Sequence, residues 1–501
     1  MADDLNVLLV TIDSLRRDML GAYADRPRFA DRAVETPNLD RFADRATVFE
    51  SHYAGSLPCM PARREFLAGV QEFPWRGWGP LEPFDDPLPA LAREAGAVTG
   101  LVTDHYHYLE PGGRGYPETF DGVEWVRGHE IDAWRTAPQR PGEAALGRIR
   151  RSLGGDAGDP GVHEARYLRN TRDFDRLDER DWFAPRVFTG AQQWVADDAG
   201  DWDRWLLYVD SFDVHEPFEC PEPYASMYTD ADPTDPDLPY WPEYGRVDAD
   251  GASGLTDREL DFLRSQFAGK TTMVDRWFGR LLDRLDREGL WDDTLVAVTT
   301  DHGFLLGEHG WVGKNVAPVY DEVAHTPLLV WDPGSDRDRV EGVTSAVDVY
   351  ATLLDALGAD VPAHSHSRSV LPVLRDGAAG RDCAVYGYHG ATVNVSDGRY
   401  TLFLPGDPDG TVHTYSTHQR GMDDPATSTA LPYTDRPVWR SAGTARPQHE
   451  DVRLYDTRED PGQTENLAPE REETVERLTG LLGAHFDDLG VPETERDRFG
   501  L

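Results

Sequence analysis

The chain has 501 residues, 91 of them Asp or Glu against 50 Lys or Arg, for a formal charge of −41 at pH 7. That balance excludes a nucleic-acid partner, which needs a basic footprint, and no apolar run is long enough to suggest a membrane-spanning helix. Three cysteines, Cys59, Cys220 and Cys383, form an odd set without CxxC spacing, so a disulfide framework is not expected.

The acidic residues are spread along the whole chain rather than gathered in a tail. A solvated surface adapted to high salt is the expectation. Lysine occurs only at Lys270 and Lys314, and every other basic residue is arginine. The N-terminus shows no basic n-region and no signal-like segment, so a cytoplasmic protein without membrane attachment is expected.

In chain order, Asn6 to Ile12 is a nearly continuous apolar run. It suits a strand buried on both faces, as in parallel sheets, and it ends at Asp13. Thr36-Pro37-Asn38-Leu39-Asp40 opens a helix, with Thr36 as cap and Pro37 at the first position. The stretch Cys59-Met60-Pro61-Ala62-Arg63-Arg64-Glu65-Phe66-Leu67-Ala68-Gly69 predicts a second helix, with Pro61 at its start and Gly69 as its stop. Cys59 then sits ahead of a helix N-terminus, which favours an anion or a thiolate, and Arg63 returns over it one turn later.

Leu88 to Glu94 reads as a helix ended by Gly96, and Ala97 to Val102 as a second strand leading into Asp104, His105 and His107. Residues 127–181 are polar and give no assignment. Phe183 to Val195 reads as a helix, and Trp205 to Val209 as a third strand delivering Asp213 and His215. Pro221 to Tyr244 reads as a surface loop. Leu255 to Glu288 predicts one long helix or a pair, with Phe262, Phe267, Met273, Trp277, Leu281 and Leu285 at helical spacing. Thr294 to Thr299 is a fourth strand ending at Asp301-His302-Gly303, Pro327 to Trp331 a fifth, and Val347 to Leu357 a helix.

After about Asp376 the runs shorten. Ala384 to Tyr388 and Arg399 to Leu404 predict antiparallel strands, 406–449 a loop, and Glu470 to Phe486 a closing helix. The expected architecture is α/β: a large, mostly parallel sheet flanked by helices in residues 1–375, and a smaller α+β subdomain in 376–501. In open parallel sheets ligands bind beyond the carboxyl ends of the strands. Four strand endings bear Asp or His there, with Cys59 at a helix start beside them. Asp13, Asp301 and His302 suit a hard divalent cation better than a structural zinc.

These segments together resemble the type I sulfatases of the alkaline-phosphatase-like superfamily. Cys59-Met60-Pro61-Ala62-Arg63 resembles their signature, and Asn6 to Asp18 their opening strand. Thr36-Pro37-Asn38-Leu39-Asp40, Asp301 to Gly310 with Lys314, and Tyr455-Asp456 to Glu465-Asn466-Leu467 follow in the family's order. The resemblance implies hydrolysis of a small anionic sulfate ester, with Cys59 oxidised by a formylglycine-generating enzyme and its hydrated aldehyde as nucleophile. It implies that Asp13, Asp301 and His302 bind the metal, calcium first with magnesium or manganese as alternatives. Arg63 would steady the formylglycine, and Lys314 and His215 would meet the sulfate. His107 is the candidate for a further family histidine on the substrate, and Asp213, at the third strand's ending, joins it as a substrate contact.

Two positions depart from the family pattern. Ser14 stands where many members have a second aspartate, and Asp104-His105-Tyr106-His107 replaces Gly-Lys-x-His. A phosphonate monoester or phosphodiester hydrolase with the same aldehyde is therefore an alternative, and an unconverted, non-catalytic binding protein is another.

Overall fold

The computed structural model describes residues 5–23, 27–136, 162–247, 254–418, 426–431, 434 and 436–501. At its centre lies an eight-stranded sheet. Its strands are β1 (Asn6–Ile12), β2 (Thr47–Tyr53), β3 (Val98–Thr103), β4 (Gly122–Trp125), β5 (Trp205–Ser211), β6 (Thr294–Thr299), β7 (Leu328–Trp331) and β8 (Arg339–Ser345). They lie in the order β8-β2-β7-β6-β1-β5-β3-β4. All pairs are parallel except those made by β7, which runs against both of its neighbours.

The apolar run of β1 is explained by helices on both faces. Leu8, Val10 and Ile12 enter one core with Phe42, Phe188 and Phe278, while Val7 and Leu9 enter the opposite core with Met60, Phe66 and Tyr350. Side chains alternate across a strand, so every residue of β1 is buried. Each such Leu or Val contributes about 1.5–3 kcal/mol.

The main helices are α1 (Pro37–Ala43), α2 (Cys59–Ala68), α3 (Leu88–Glu94), α4 (Phe183–Asp197), α5 (Asp257–Glu288), α6 (Asp348–Ala356) and α7 (Glu472–Leu489). The segment 257–288 is a single helix of 32 residues. A capping box of Thr256 and Glu259 starts it, Gly289 at φ +68° ends it, and its aromatic stripe is buried throughout. Thr36 does not cap α1: its hydroxyl donates to Met19 O, and Asp275 on α5 accepts from the N–H groups of Asn38 and Leu39 instead. The orphan donors of α1 are thus satisfied from another element.

Helix α2 begins at Cys59, two residues before Pro61. Proline costs nothing there, because the first four N–H groups of a helix have no acceptor within it. Gly69 closes α2 at φ +65°, the left-handed conformation that favours glycine.

Downstream lie β9 (Ala384–Tyr388), β10 (Val393–Ser396), β11 (Tyr400–Leu404), β12 (Thr411–Ser416), β13 (Ala426–Ala430), β14 (Pro437–Thr444) and β15 (Arg453–Asp456). A second sheet runs β15-β11-β10-β9 and gains a last, parallel strand from Ser56–Leu57, directly before Cys59. Strands β12, β14 and β13 form a three-stranded antiparallel sheet where a loop was expected. The tract 221–244 is mostly loop, with a single turn of helix at Tyr224–Met227. Of the unassigned tract 127–181, residues 137–161 lie outside the described residues.

Glu65 on α2 holds the approach to Cys59 by accepting the N–H of Ser56. Burial pushes its carboxyl up to about 7, against the hydrogen bonds of Ser56 and Gln71. A pKa raised by folding favours the fold in the protonated form. That contribution is complete below 4.5, the ordinary value, and is lost as pH climbs through about 7. Across that window wild type should lose about 3 kcal/mol relative to Glu65→Gln. Urea unfolding of both proteins at several pH values checks this, and a constant difference would refute it.

Candidate active site

The strand register decides which side chains meet. Thr11 of β1 lies level with Thr299 of β6 on one side and Asp210 of β5 on the other. Asp13 and Asp301, each two residues further on, therefore emerge at the same sheet edge beside Asp210. Ser14 adopts φ +62°, which lets its N–H donate to Asp301 Oδ1 (3.2 Å) and its hydroxyl to Asp13 Oδ1 (2.9 Å). Gly303 is required by proximity: a Cβ there would stand 2.0 Å from Glu322 O.

Arg63 ties the edge together. It is fully buried. Its Nε and Nη2 donate to the two oxygens of Asp210 at 3.0 and 2.8 Å. Its Nη1 donates to Asp301 Oδ2 at 2.7 Å and to Cys59 O at 3.2 Å. Asp13 Oδ2 lies 3.1 Å from Nη2, in a geometry that makes no hydrogen bond. Burial alone would lower the guanidinium pKa, but Asp210, Asp301 and Asp13 hold it well above the ordinary value. Thr11 and Tyr108 also donate to Asp210, at 2.7 and 2.9 Å.

The ligand atoms of Asp13, Cys59, Asp301 and His302 all lie within 4.8 Å of one another, and all four residues are buried. His302 Nδ1 donates to Gly303 O at 2.9 Å, which leaves the Nε2 lone pair directed at Cys59 Sγ, 3.3 Å away. Burial lowers His302 to about 4, so the imidazole is neutral and can act as a ligand. Asp13 Oδ2 accepts no hydrogen bond although buried. Burial and the adjacent Asp301 push Asp13 well above the carboxylate range, whereas His302 and Arg63 outweigh burial and hold Asp301 below it. An orphaned buried oxygen, a second carboxylate and a neutral imidazole fit a divalent cation.

The expectation of a thiolate at Cys59 is not met. Burial, then Asp13, raises the thiol well above its ordinary value, and Lys314 and Arg63 do not compensate. The unmodified side chain is a protonated thiol and a poor nucleophile. Lys314 Nζ lies 3.7 Å from Sγ. Burial would lower its pKa, but Cys59 first, then Glu216, Asp13 and Asp301, hold it above the ordinary lysine value.

The remaining expected residues stand outside this ligand group. His215 stacks on Phe212, and its Nδ1 donates to Glu216 O at 2.8 Å, with Glu130 Oε1 at 2.9 Å. Burial lowers it well below the ordinary value, against the pull of Glu216. His107 is half-buried, pairs with Glu110 at 2.8 Å, and meets the ring of Trp78 edge-on. Asp213 is turned away. Its oxygens take Lys270 Nζ (2.5 Å), His129 Nε2 (2.9 Å) and Ala184 N (3.0 Å), which leaves it nothing to offer a substrate.

Three residues at the site were not among the expected ones. His105, rather than His107, reaches the centre: its Nε2 lies 3.7 Å from Asp13 Oδ2, and neither ring nitrogen has a hydrogen-bond partner. Asp210 anchors Arg63. Lys270 fastens the 213–217 turn, donating to His215 O and Pro217 O at 2.7 and 2.9 Å. The scarcity of lysine was the signal available for Lys270, as it was for Lys314.

The sulfatase family model matches residues 5–359. An N-acetylglucosamine-6-O-sulfatase of Bacteroides thetaiotaomicron is 32% identical over 77% of this chain and 74% of its own length. A multifunctional alkaline phosphatase superfamily protein of Trinickia caryophylli is 26% identical over 74% of this chain and 77% of its own. Among solved structures, the phosphonate monoester hydrolase of Agrobacterium radiobacter aligns over 96% of both chains with a TM-score of 0.65 at 22% identity, a likeness of fold.

Proposed function

Because the chain belongs to the sulfatase family, we propose that it hydrolyses sulfate esters, a sulfate monoester and water giving an alcohol and hydrogen sulfate. The observation that carries this is the buried set of Asp13, Cys59, Asp301 and His302 with Arg63 and Lys314 against it. Asp13, Asp301 and His302 would hold the divalent cation, calcium first and magnesium or manganese otherwise, and Cys59 would be matured to formylglycine. Together those two groups supply Lewis acidity and a nucleophilic oxygen.

This chain's own residues do the rest. Arg63, gripped by Asp210, fixes the start of α2. Lys314 opposes negative charge building on the sulfuryl oxygens. Lys314 and His215 are the two candidates to protonate the departing oxygen. His105 offers its unpartnered ring to a sulfuryl oxygen or to the cation, and His107 faces the alcohol part beyond it.

Mass spectrometry of the peptide around Cys59, paired with turnover of an aryl sulfate and of a phosphodiester, tests this reading. Conversion with preferred sulfate turnover is expected. A converted enzyme that prefers the phosphodiester would favour the second reading, a phosphonate monoester or phosphodiester hydrolase, which Ser14 and the likeness of fold support. An unconverted cysteine without turnover would leave a binding protein.

The proposed division is a catalytic unit in residues 1–375 and a second subdomain in 376–501. Among the described residues no helix is long and apolar enough to cross a membrane. A cytoplasmic, salt-adapted protein is the accompanying proposal. Transfer to low salt should lower its melting temperature, and an unchanged curve would sink the adaptation.

A further inference from the structure

A cavity of about 390 Å³ opens between segments 76–82 and 111–114 of the main unit and one face of the β12-β14-β13 sheet. That volume is within the range of small-molecule sites. Two aromatic faces bound it. Trp78 is pinned over Gly112, where a Cβ would come 2.8 Å from its ring, and it meets the ring of His107 at 4.7 Å. Trp439 on β14 is 39% exposed and is paired in register with Ser416 of β12. Side chains alternate along a strand, so Trp439 and Ser441 share a face with their partners Ser416 and Thr414, and all four line the cavity.

A chain of packed rings joins the cavity wall to the site. Trp78 meets His107, His107 lies 5.3 Å from His105, and His105 stands beside Asp13. Its wall on α2 is Arg64, the neighbour of Arg63, whose guanidinium donates to Gly77 O and Gly79 O.

The charged lining residues are Arg64, Arg76, Arg114 and Glu82, in a protein of net charge −41. Arg76 is spent on Glu72, Glu82 and Asp85, which leaves Arg114 as the cation open to a ligand. Glu82 is already taken up by Ser416 and Thr417. The guanidinium of Arg114, at the exposed rim, makes no hydrogen bond or ion pair among the described residues.

We infer that this cavity, between the faces of Trp78 and Trp439 and under Arg114, takes the alcohol part of the ester, and that this part is an acidic saccharide. The inference rests on the sulfate-ester reading. Flat, amphipathic indoles accept the C–H face of a sugar ring. The hydroxyls of Thr414 and Ser441 and the ring of His418 supply partners for its hydroxyl groups, and Arg114 supplies a charge-assisted contact to a carboxylate or second sulfate. A simple aryl group would use the indoles and leave the polar half of the cavity unpaired.

The test is calorimetric titration of the purified, full-length enzyme with an unsulfated uronate-containing chondroitin disaccharide and with neutral lactose. 4-Nitrophenyl sulfate turnover is measured in parallel. The acidic disaccharide is expected to bind wild type at least about tenfold more tightly than lactose. Arg114→Gln should abolish that preference, and Trp439→Ala should weaken both sugars by about tenfold. Neither residue touches the reacting atoms, so 4-nitrophenyl sulfate turnover should persist in both variants, with a raised KM in Trp439→Ala, whose indole an aryl group also uses. An enzyme that turns over the aryl sulfate yet binds neither saccharide, or binds them equally well in both variants, would overturn the inference and leave the sulfatase reading intact. Saccharide binding that follows the predicted pattern without sulfate turnover would support the cavity and overturn that reading instead.

Discussion

Replacing Cys59 with alanine should lower kcat for an aryl sulfate by roughly four orders of magnitude or more. The melting temperature should move little, because only one sulfur leaves the start of α2. The side chain sits where Lys314 Nζ and His302 Nε2 converge, at 3.7 and 3.3 Å. Cys59 is the thiol that stands with Asp13, Asp301 and His302 in one buried group. Cys59→Ser should behave differently. A serine hydroxyl can take the sulfuryl group, but its carbon bears no second oxygen to expel it, so intact-mass analysis should find a persistent adduct. An alanine variant that retains activity would refute the assignment of Cys59.

Arg63→Ala should cost about 3–5 kcal/mol of stability, because it leaves Asp13, Asp210 and Asp301 buried without their shared counter-charge. Activity should fall by at least about 10²-fold in the same variant. Arg63→Lys should recover only part of either loss. A single ammonium cannot reproduce the paired donation to both oxygens of Asp210 together with the bond to Asp301. Excess calcium or manganese should raise the melting temperature of Arg63→Ala more than that of wild type, since a cation beside Asp13 and Asp301 replaces some of the lost positive charge. Thermal unfolding with and without the ion measures this. A variant as stable as wild type in the absence of metal would show that the carboxylates are compensated elsewhere.

The parts of the site that could be read from sequence are those where burial imposes a pattern. Strands β1 and β6 read as near-continuous apolar runs because helices cover both faces, and each run stops at the aspartate it delivers. Lys314 stood out because lysine is otherwise almost absent. Other features left no such trace. Strand β2 carries Glu50, Ser51 and His52 in its middle, so neither apolar continuity nor strict alternation marks it. The choice between His105 and His107 depends on a short turn of 3-10 helix at Tyr106–Leu109, which carries His107 outward and leaves His105 inside. Asp210 lies within β5 and reads as an interruption of a hydrophobic strand, although it is the residue that grips Arg63. Asp213, three positions on, looked equally available until Lys270 on a distant helix was seen to occupy it. Long-range pairings of this kind are set by tertiary contacts, which local sequence does not encode. The sheet of β12, β13 and β14 is mostly small and polar in composition, and short strands of that kind read as loop.

The pairing of Ser56–Leu57 with β9 bears on the order of events during synthesis. The segment just ahead of Cys59 becomes the edge strand of a sheet whose neighbour begins at Ala384, 384 − 59 = 325 residues later in the chain. At roughly 5–20 residues per second, the ribosome needs on the order of 15–65 s to make that distance. Once β9 docks, Cys59 is 2% exposed and out of reach of any second protein. If Cys59 is matured as proposed, the oxidising enzyme has to act on the nascent chain within that interval or on a chain kept from folding. The rate of translation between codons 59 and 384 would then set the fraction of molecules that leave the ribosome competent for catalysis.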